Sequence, residues 1–170
     1  MSLSKAFCLA LVWAVMLITG CATALPQATE STISVTGPWR GRLAVRVASG
    51  ERQAQPLSFT AGFELAGNPQ TGALTLFTPL GTTLASLSWS DGAATLQHAG
   101  DNERFLTLDA LIQRALGTEV PVAALFAWLA GDTMSAAGWS ADLSNRSKGS
   151  IVARRYQPAP AAEIRLLLEE

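Results

Sequence analysis

Apolar and polar positions alternate along most of the chain from Trp39 onward. Leu43, Val45 and Val47 fall on one side of the first such segment, with Arg42 and Arg46 on the other. A period of two is the mark of a half-buried strand. Gly50 and Glu51 turn the chain, and Leu57, Phe59, Ala61, Phe63 and Leu65 repeat the alternation. Gly67-Asn68-Pro69 is a turn cluster, because these residues favour turn dihedrals that strands disfavour. A third strand is expected over 72–78, with Leu74 and Leu76 facing inward. Pro79-Leu80-Gly81 interrupts it, and a fourth follows over 82–88 with Leu84 read as inward. Asp91-Gly92 is a strong hairpin signal before a weaker fifth strand over 94–98. Consecutive strands joined by short turns predict an antiparallel meander.

The period then changes. Residues 107–117 read as a short helix, with Thr107 or Asp109 as its cap and Gly117 as its stop. Pro121 opens a second helix, which Gly131 ends, and Val122, Leu125, Phe126 and Leu129 share one of its faces. Strands resume over 139–143, 150–154 and 164–168. The expected class is therefore mostly β, of α+β type. A meander this apolar must cover its inner face, and two short apolar helices laid across a curved sheet would do so. The inward candidates are Leu43, Val45, Phe59, Phe63, Leu74, Leu76 and Leu84 on strands, and Leu111, Leu125, Phe126 and Leu129 on helices. One sequence does not say which of them are ordinary core and which line a ligand site.

The segment before the meander has another character. Lys5 precedes an apolar run over 6–17. That is a positive start followed by a core of signal-peptide length, shorter than the ~20 apolar residues a spanning helix needs. It closes on Leu17-Ile18-Thr19-Gly20-Cys21, the branched-small-small-cysteine pattern of a bacterial lipobox. In that chemistry a diacylglycerol joins the thiol, the peptide is cut before the cysteine, and the new amino group is acylated. Residues 1–20 are thus expected to be removed and Cys21 to carry lipid. The competing reading is an ordinary secretory signal, or an N-terminal anchor, with an incidental cysteine. Ala22, where aspartate favours inner-membrane retention, points to the periplasmic face of the outer membrane. Residues 21–38 form the lipidated N-terminus and a tether rich in Ala, Thr, Ser and Pro, and 39–170 form the domain.

Composition narrows the function. About 150 residues remain after the signal, enough for one domain with a sizeable core. Cys21 is then the only cysteine, which leaves no disulfide and no cysteine-ligated metal. Twelve basic and thirteen acidic residues give a net charge of −1, which argues against nucleic acid as a partner. Apolar residues make up 49% of the chain and charged ones 15%, more apolar surface than an ordinary soluble domain has to bury. His98 is the single histidine, and no Gly-x-Ser-x-Gly nucleophile turn occurs. With no zinc ligand set around it either, the chain reads as non-enzymatic and without a cofactor. Trp39, Trp89, Trp128 and Trp139 read as rim packing. Arg42 and Arg46 read as a solvated face, in preference to a role in holding the helix ends.

Four stretches in order carry a family resemblance: Trp39-Arg40-Gly41-Arg42-Leu43, Thr78-Pro79-Leu80-Gly81-Thr82, the helical pair from Val120-Pro121-Val122 to Ala127-Trp128-Leu129-Ala130-Gly131, and Pro158-Ala159-Pro160 before a last apolar strand. With the lipobox, they make the chain resemble the LolB family of outer-membrane lipoprotein receptors. The resemblance implies an unclosed antiparallel β-barrel whose short helices form a lid over an apolar cavity. It implies a monomer that takes lipoproteins by their acyl chains from a soluble LolA-like carrier and passes them to the outer membrane. In the family an apolar residue on a protruding loop is tied to delivery, and Leu80, between Pro79 and Gly81, matches it by position. The family's tryptophan-containing strand near Ser150 and its further strand ending in tryptophan have no match here, so either a shorter far edge of the sheet or a divergent branch of the family is expected. The alternative from another class is a structural or assembly lipoprotein that binds an outer-membrane complex without transferring lipid.

Overall fold

The computed structural model describes residues 37–51, 54–136 and 138–169. The signal segment, Cys21 and nearly all of the tether lie outside them. Among the described residues nine strands and two helices follow one another: β1 (Trp39–Val47), β2 (Leu57–Gly67), β3 (Gly72–Phe77), β4 (Thr83–Ser90), β5 (Ala93–His98), β6 (Asp101–Phe105), α1 (Leu108–Leu116), α2 (Val122–Ala130), β7 (Trp139–Asp142), β8 (Ser150–Arg155) and β9 (Ala162–Leu168). A 3-10 turn, Arg146–Lys148, sits between β7 and β8. Among the described residues no helix is long and apolar enough to cross a membrane.

All nine strands form one antiparallel sheet in the order β6-β5-β4-β3-β2-β1-β9-β8-β7. The edges, β6 and β7, do not pair with each other, so the barrel is open. The connection from β6 to β7 must travel from one edge to the other, and α1 and α2 lie within it. That connectivity is why the helices cover the sheet. β1 joins the two halves, pairing Leu43 with Ala61 of β2 and with Leu166 of β9. Gly41 is required at this seam: its φ is +154°, and a Cβ there would run into the Leu167 carbonyl oxygen.

The alternation read from the sequence becomes burial. Leu43, Val45 and Val47 of β1, Ala61, Phe63 and Leu65 of β2, and Leu74 and Leu76 of β3 are buried. α1 begins at the Thr107 cap, whose Oγ1 accepts from the Ala110 N–H at 3.2 Å, and ends at Gly117 with φ 71°. α2 is buried on almost every side, through Val122, Ala124, Phe126, Trp128 and Leu129.

Three expectations need correction. β6, Asp101-Asn102-Glu103-Arg104-Phe105, has no alternation and was not expected. It is an edge strand held by pairing to β5 across a two-residue turn at Ala99 and Gly100 (φ 51° and 91°). Its charges protect the open edge, as edge strands commonly require. Leu84 points outward and is 38% exposed, because Ala85, Leu87 and Trp89 hold the inward phase of β4. The short far edge falls elsewhere too: β9 lies inside the sheet between β1 and β8, and the four-residue β7 forms the edge.

Candidate functional site

Between the helices and the sheet lies a wholly apolar space. Leu43, Phe63, Leu65 and Leu74 line it from one half of the sheet, Ile164 and Leu166 from the other, and Leu116, Val120, Leu125 and Leu129 from the helices and their linker. Its volume is about 20 Å³, close to the room needed by one water molecule. The helices are therefore seated closely on the sheet.

Aromatic and arginine side chains seat them. Phe126 of α2 is wedged edge-on between Trp39 and Trp89, with ring centroids 5.5 and 6.5 Å away. The Trp139 indole donates to the Glu119 carbonyl in the α1–α2 linker at 2.9 Å. Trp128 donates to the Met134 carbonyl at 2.7 Å. Arg155, buried at the end of β8, donates to Thr118 Oγ1 at 3.1 Å and to the Pro160 carbonyl at 3.0 Å, and its guanidinium lies over the Trp139 ring. Arg146 donates through Nε and Nη2 to the Leu129 carbonyl at 3.1 and 2.6 Å. That carbonyl belongs to the last turn of α2, where orphan carbonyls and the helix dipole favour a cation.

The β3–β4 loop is built on itself. Thr78 N donates to Thr82 O at 2.8 Å, Gly81 N to Thr78 O at 2.9 Å, and Thr82 N to Thr78 Oγ1 at 3.2 Å. Gly81 takes φ +81° to close the turn. Leu80 is left at the tip, 93% exposed. Pro79 and Gly81 border a groove on the outer face of the sheet that Arg42 and Phe77 also line.

Farther along that outer face, Glu163 of β9 meets three arginines. Arg154 Nε is 2.8 Å from its carboxylate, Arg165 Nη2 3.3 Å and Arg46 Nη1 3.6 Å. Burial pushes the Glu163 carboxyl up, but hydrogen bonds and positive charge from Arg154 and Arg165 outweigh it and hold the group below its ordinary value.

Comparison with known proteins decides the family. The family model described as outer membrane lipoprotein LolB matches residues 38–158. A protein of Bordetella petrii named outer-membrane lipoprotein LolB is 31% identical, over 91% of this chain and 87% of its own. One of the same name from Bordetella pertussis is 29% identical, over 76% of each. The chain belongs to the LolB family. The matched span takes in β1 to β8, both helices and the Leu80 loop, and stops short of β9.

The candidate residues divide within this frame. Leu43, Phe63, Leu74, Leu125 and Leu129 line the narrow interior. Val45, Leu76 and Leu111 are buried in the surrounding core, Phe126 sits between the tryptophans, and Phe59 is half-buried against the core. Leu84 lies on the other face of the sheet. Arg42 and Arg46 are exposed, in keeping with a solvated face. The arginines that hold the helix ends are Arg146 and Arg155, which the sequence did not single out. His98 is exposed, with Nδ1 2.7 Å from the Leu84 carbonyl oxygen.

Proposed function

We propose that this chain is anchored to the outer membrane by lipid on Cys21 and receives lipoproteins from a soluble periplasmic carrier. It holds their acyl chains between the sheet and the two helices and passes them to the membrane. The observation that carries this reading is the wholly apolar, nearly closed space under two helices that bridge the edges of an open sheet, in a chain of the LolB family. No bond is made or broken in this cycle, so the chain acts as a receptor and not as an enzyme.

The energetics suit a relay. Each acyl methylene removed from water contributes about 0.8 kcal/mol. Opening the lid first exposes apolar faces of the helices and of the sheet, and the acyl chains then cover that surface again. Net affinity is the difference between the two, which keeps it low enough for release into a bilayer. Leu80, held out on its self-braced loop, is the residue that contacts the receiving membrane.

The test uses the chain carrying Cys21→Ala, which takes no lipid. It is mixed with a fluorescent fatty-acid probe and, separately, with a carrier loaded with a lipoprotein. Uptake of both supports the reading. A folded protein that takes up neither sinks it.

A further inference from the structure

The outer face of the sheet carries a charge pattern that acyl binding does not use. Along β1, Arg42 and Arg46 point outward, and the register sets Arg46 opposite Glu163 of β9, itself opposite Arg154 of β8. Arg165 lies two residues along β9 on the same side. Three arginines thus share one carboxylate, and Arg42 lies farther along the same face, on a chain whose net charge is −1. Among the described residues Arg42 makes no ion pair. Apolar groups are interspersed: Leu167, opposite Arg42, is 47% exposed, and Tyr156, 70% exposed, borders a shallow groove with Arg46 and Arg154.

This face is continuous with the Leu80 loop. Phe77, the last residue of β3, pairs with Gly62, and Gly62 pairs with Arg42. Arg42, Pro79 and Gly81 line one groove, whose walls also hold Glu169 and the Arg40–Glu64 ion pair. The exposed leucine and the arginines therefore share a side of the domain. Cations, scattered apolar side chains and a tyrosine around an apolar tip are the composition of a membrane interface. An acidic protein partner would be matched by the charges alone and gives the exposed leucines no role.

We propose that the outer face of β1, β9 and β8 docks on an anionic phospholipid surface, with Arg42, Arg46, Arg154 and Arg165 pairing headgroup phosphates beside the inserted Leu80 loop. The inference rests on the delivery role given to Leu80 above and adds the headgroup chemistry and the orientation of the domain. Glu163 tempers the attraction, so that the domain can leave the surface again.

The test is co-sedimentation of the Cys21→Ala chain with vesicles of phosphatidylcholine alone and of phosphatidylcholine mixed with phosphatidylglycerol. Binding should be tighter to the mixed vesicles, and added salt should abolish the difference. Arg46→Gln, Arg154→Gln and Arg165→Gln should each weaken binding to the mixed vesicles about fivefold, from the attraction of one cation to an anionic surface. Glu163→Gln should strengthen it, and the corresponding lysine variants should retain the preference, which separates lost charge from lost fold. Equal binding to both vesicles, or a preference that survives the glutamine changes, overturns the proposal. So does a glutamine variant that keeps the parent's preference for anionic lipid but fails to accept lipoprotein from the carrier, because that assigns the face to an acidic protein. Probe uptake on the same preparations keeps the two readings apart. Lost uptake with an intact lipid preference overturns the receptor reading alone, and the reverse overturns this one alone.

Discussion

Replacing Arg146 by alanine should weaken the fold and tighten ligand binding at the same time. Arg146 holds the Leu129 carbonyl with two N–H groups, at 3.1 and 2.6 Å. Its guanidinium lies against Gly131, where an added Cβ would stand 3.1 Å from Nε. A hydrogen bond from a charged donor contributes about 1.5–3 kcal/mol, and the half-buried position favours the lower end. A loss of about 1.4 kcal/mol is a factor of ten in an equilibrium. If that bond exists only while α2 is seated, the alanine variant loses about this much stability. The fraction of molecules open to ligand rises by the same factor, and the apparent dissociation constant for a fatty-acid probe falls up to about tenfold. Urea unfolding reads the first effect and fluorescence titration the second. Arg146→Lys, which supplies charge without the paired donors, should fall between the two proteins. Loss of stability with unchanged or weaker probe binding would refute the argument, because the clamp would then travel with the helix or serve the fold alone.

Other outcomes follow from the same geometry. Leu80→Glu should leave stability and probe uptake near their original values, since the side chain touches almost nothing, while transfer from the protein into vesicles is impaired; equal loss of uptake and transfer counts against a delivery role. Gly41→Ala should destabilise by several kcal/mol, about the scale of a strained backbone plus a clash at the β1–β9 seam, and a melting temperature close to that of the parent would show that the seam yields. Glu163 sits below its ordinary carboxylate value of 4.5, so its contribution to stability is present above that pH and fades as pH falls through the lowered value. Glu163→Gln should therefore lower stability at neutral pH and flatten the loss below 4.5, and parallel acid limbs in the two proteins would contradict the assignment.

What was legible in the sequence depended on how local the signal was. α1 could be bounded from Thr107 and Gly117 because a cap and a left-handed stop act within a turn of the helix. β1 and β2 were legible because one of their faces is buried along nearly the whole strand. β6 was not, because an edge strand with no buried face has no period to read. Leu84 was misplaced because its strand also holds Ala85, Leu87 and Trp89 on the opposite phase, and a side chain as large as Trp89 decides which phase faces inward. A shift of register between Leu76 and Phe77 in the β3–β4 pair hides that phase from extrapolation along the meander. The clamps were invisible for a different reason. Arg146 meets Leu129 across 17 positions and Arg155 meets Thr118 across 37, and nothing around an arginine in sequence announces a distant carbonyl.

Core and ligand surface could not be separated in the sequence for a physical reason: on the proposed receptor role they are the same surface. Leu43, Phe63, Leu125 and Leu129 bury one another when the helices are seated, and they are the groups an acyl chain would meet when the helices lift. A protein with a permanent cavity leaves marks, such as small residues where bulk is expected or polar groups placed to hold one end of the ligand. A protein that closes on itself leaves none, because its ligand replaces its own side chains. Stability of the closed form and affinity for ligand then draw on one pool of apolar area and must trade against each other. Sequence pattern can report the size of that pool. How it is divided is set by the few polar clamps at the helix ends, so Arg146 and Arg155, more than any leucine of the lining, are the positions at which selection can adjust binding without rebuilding the core.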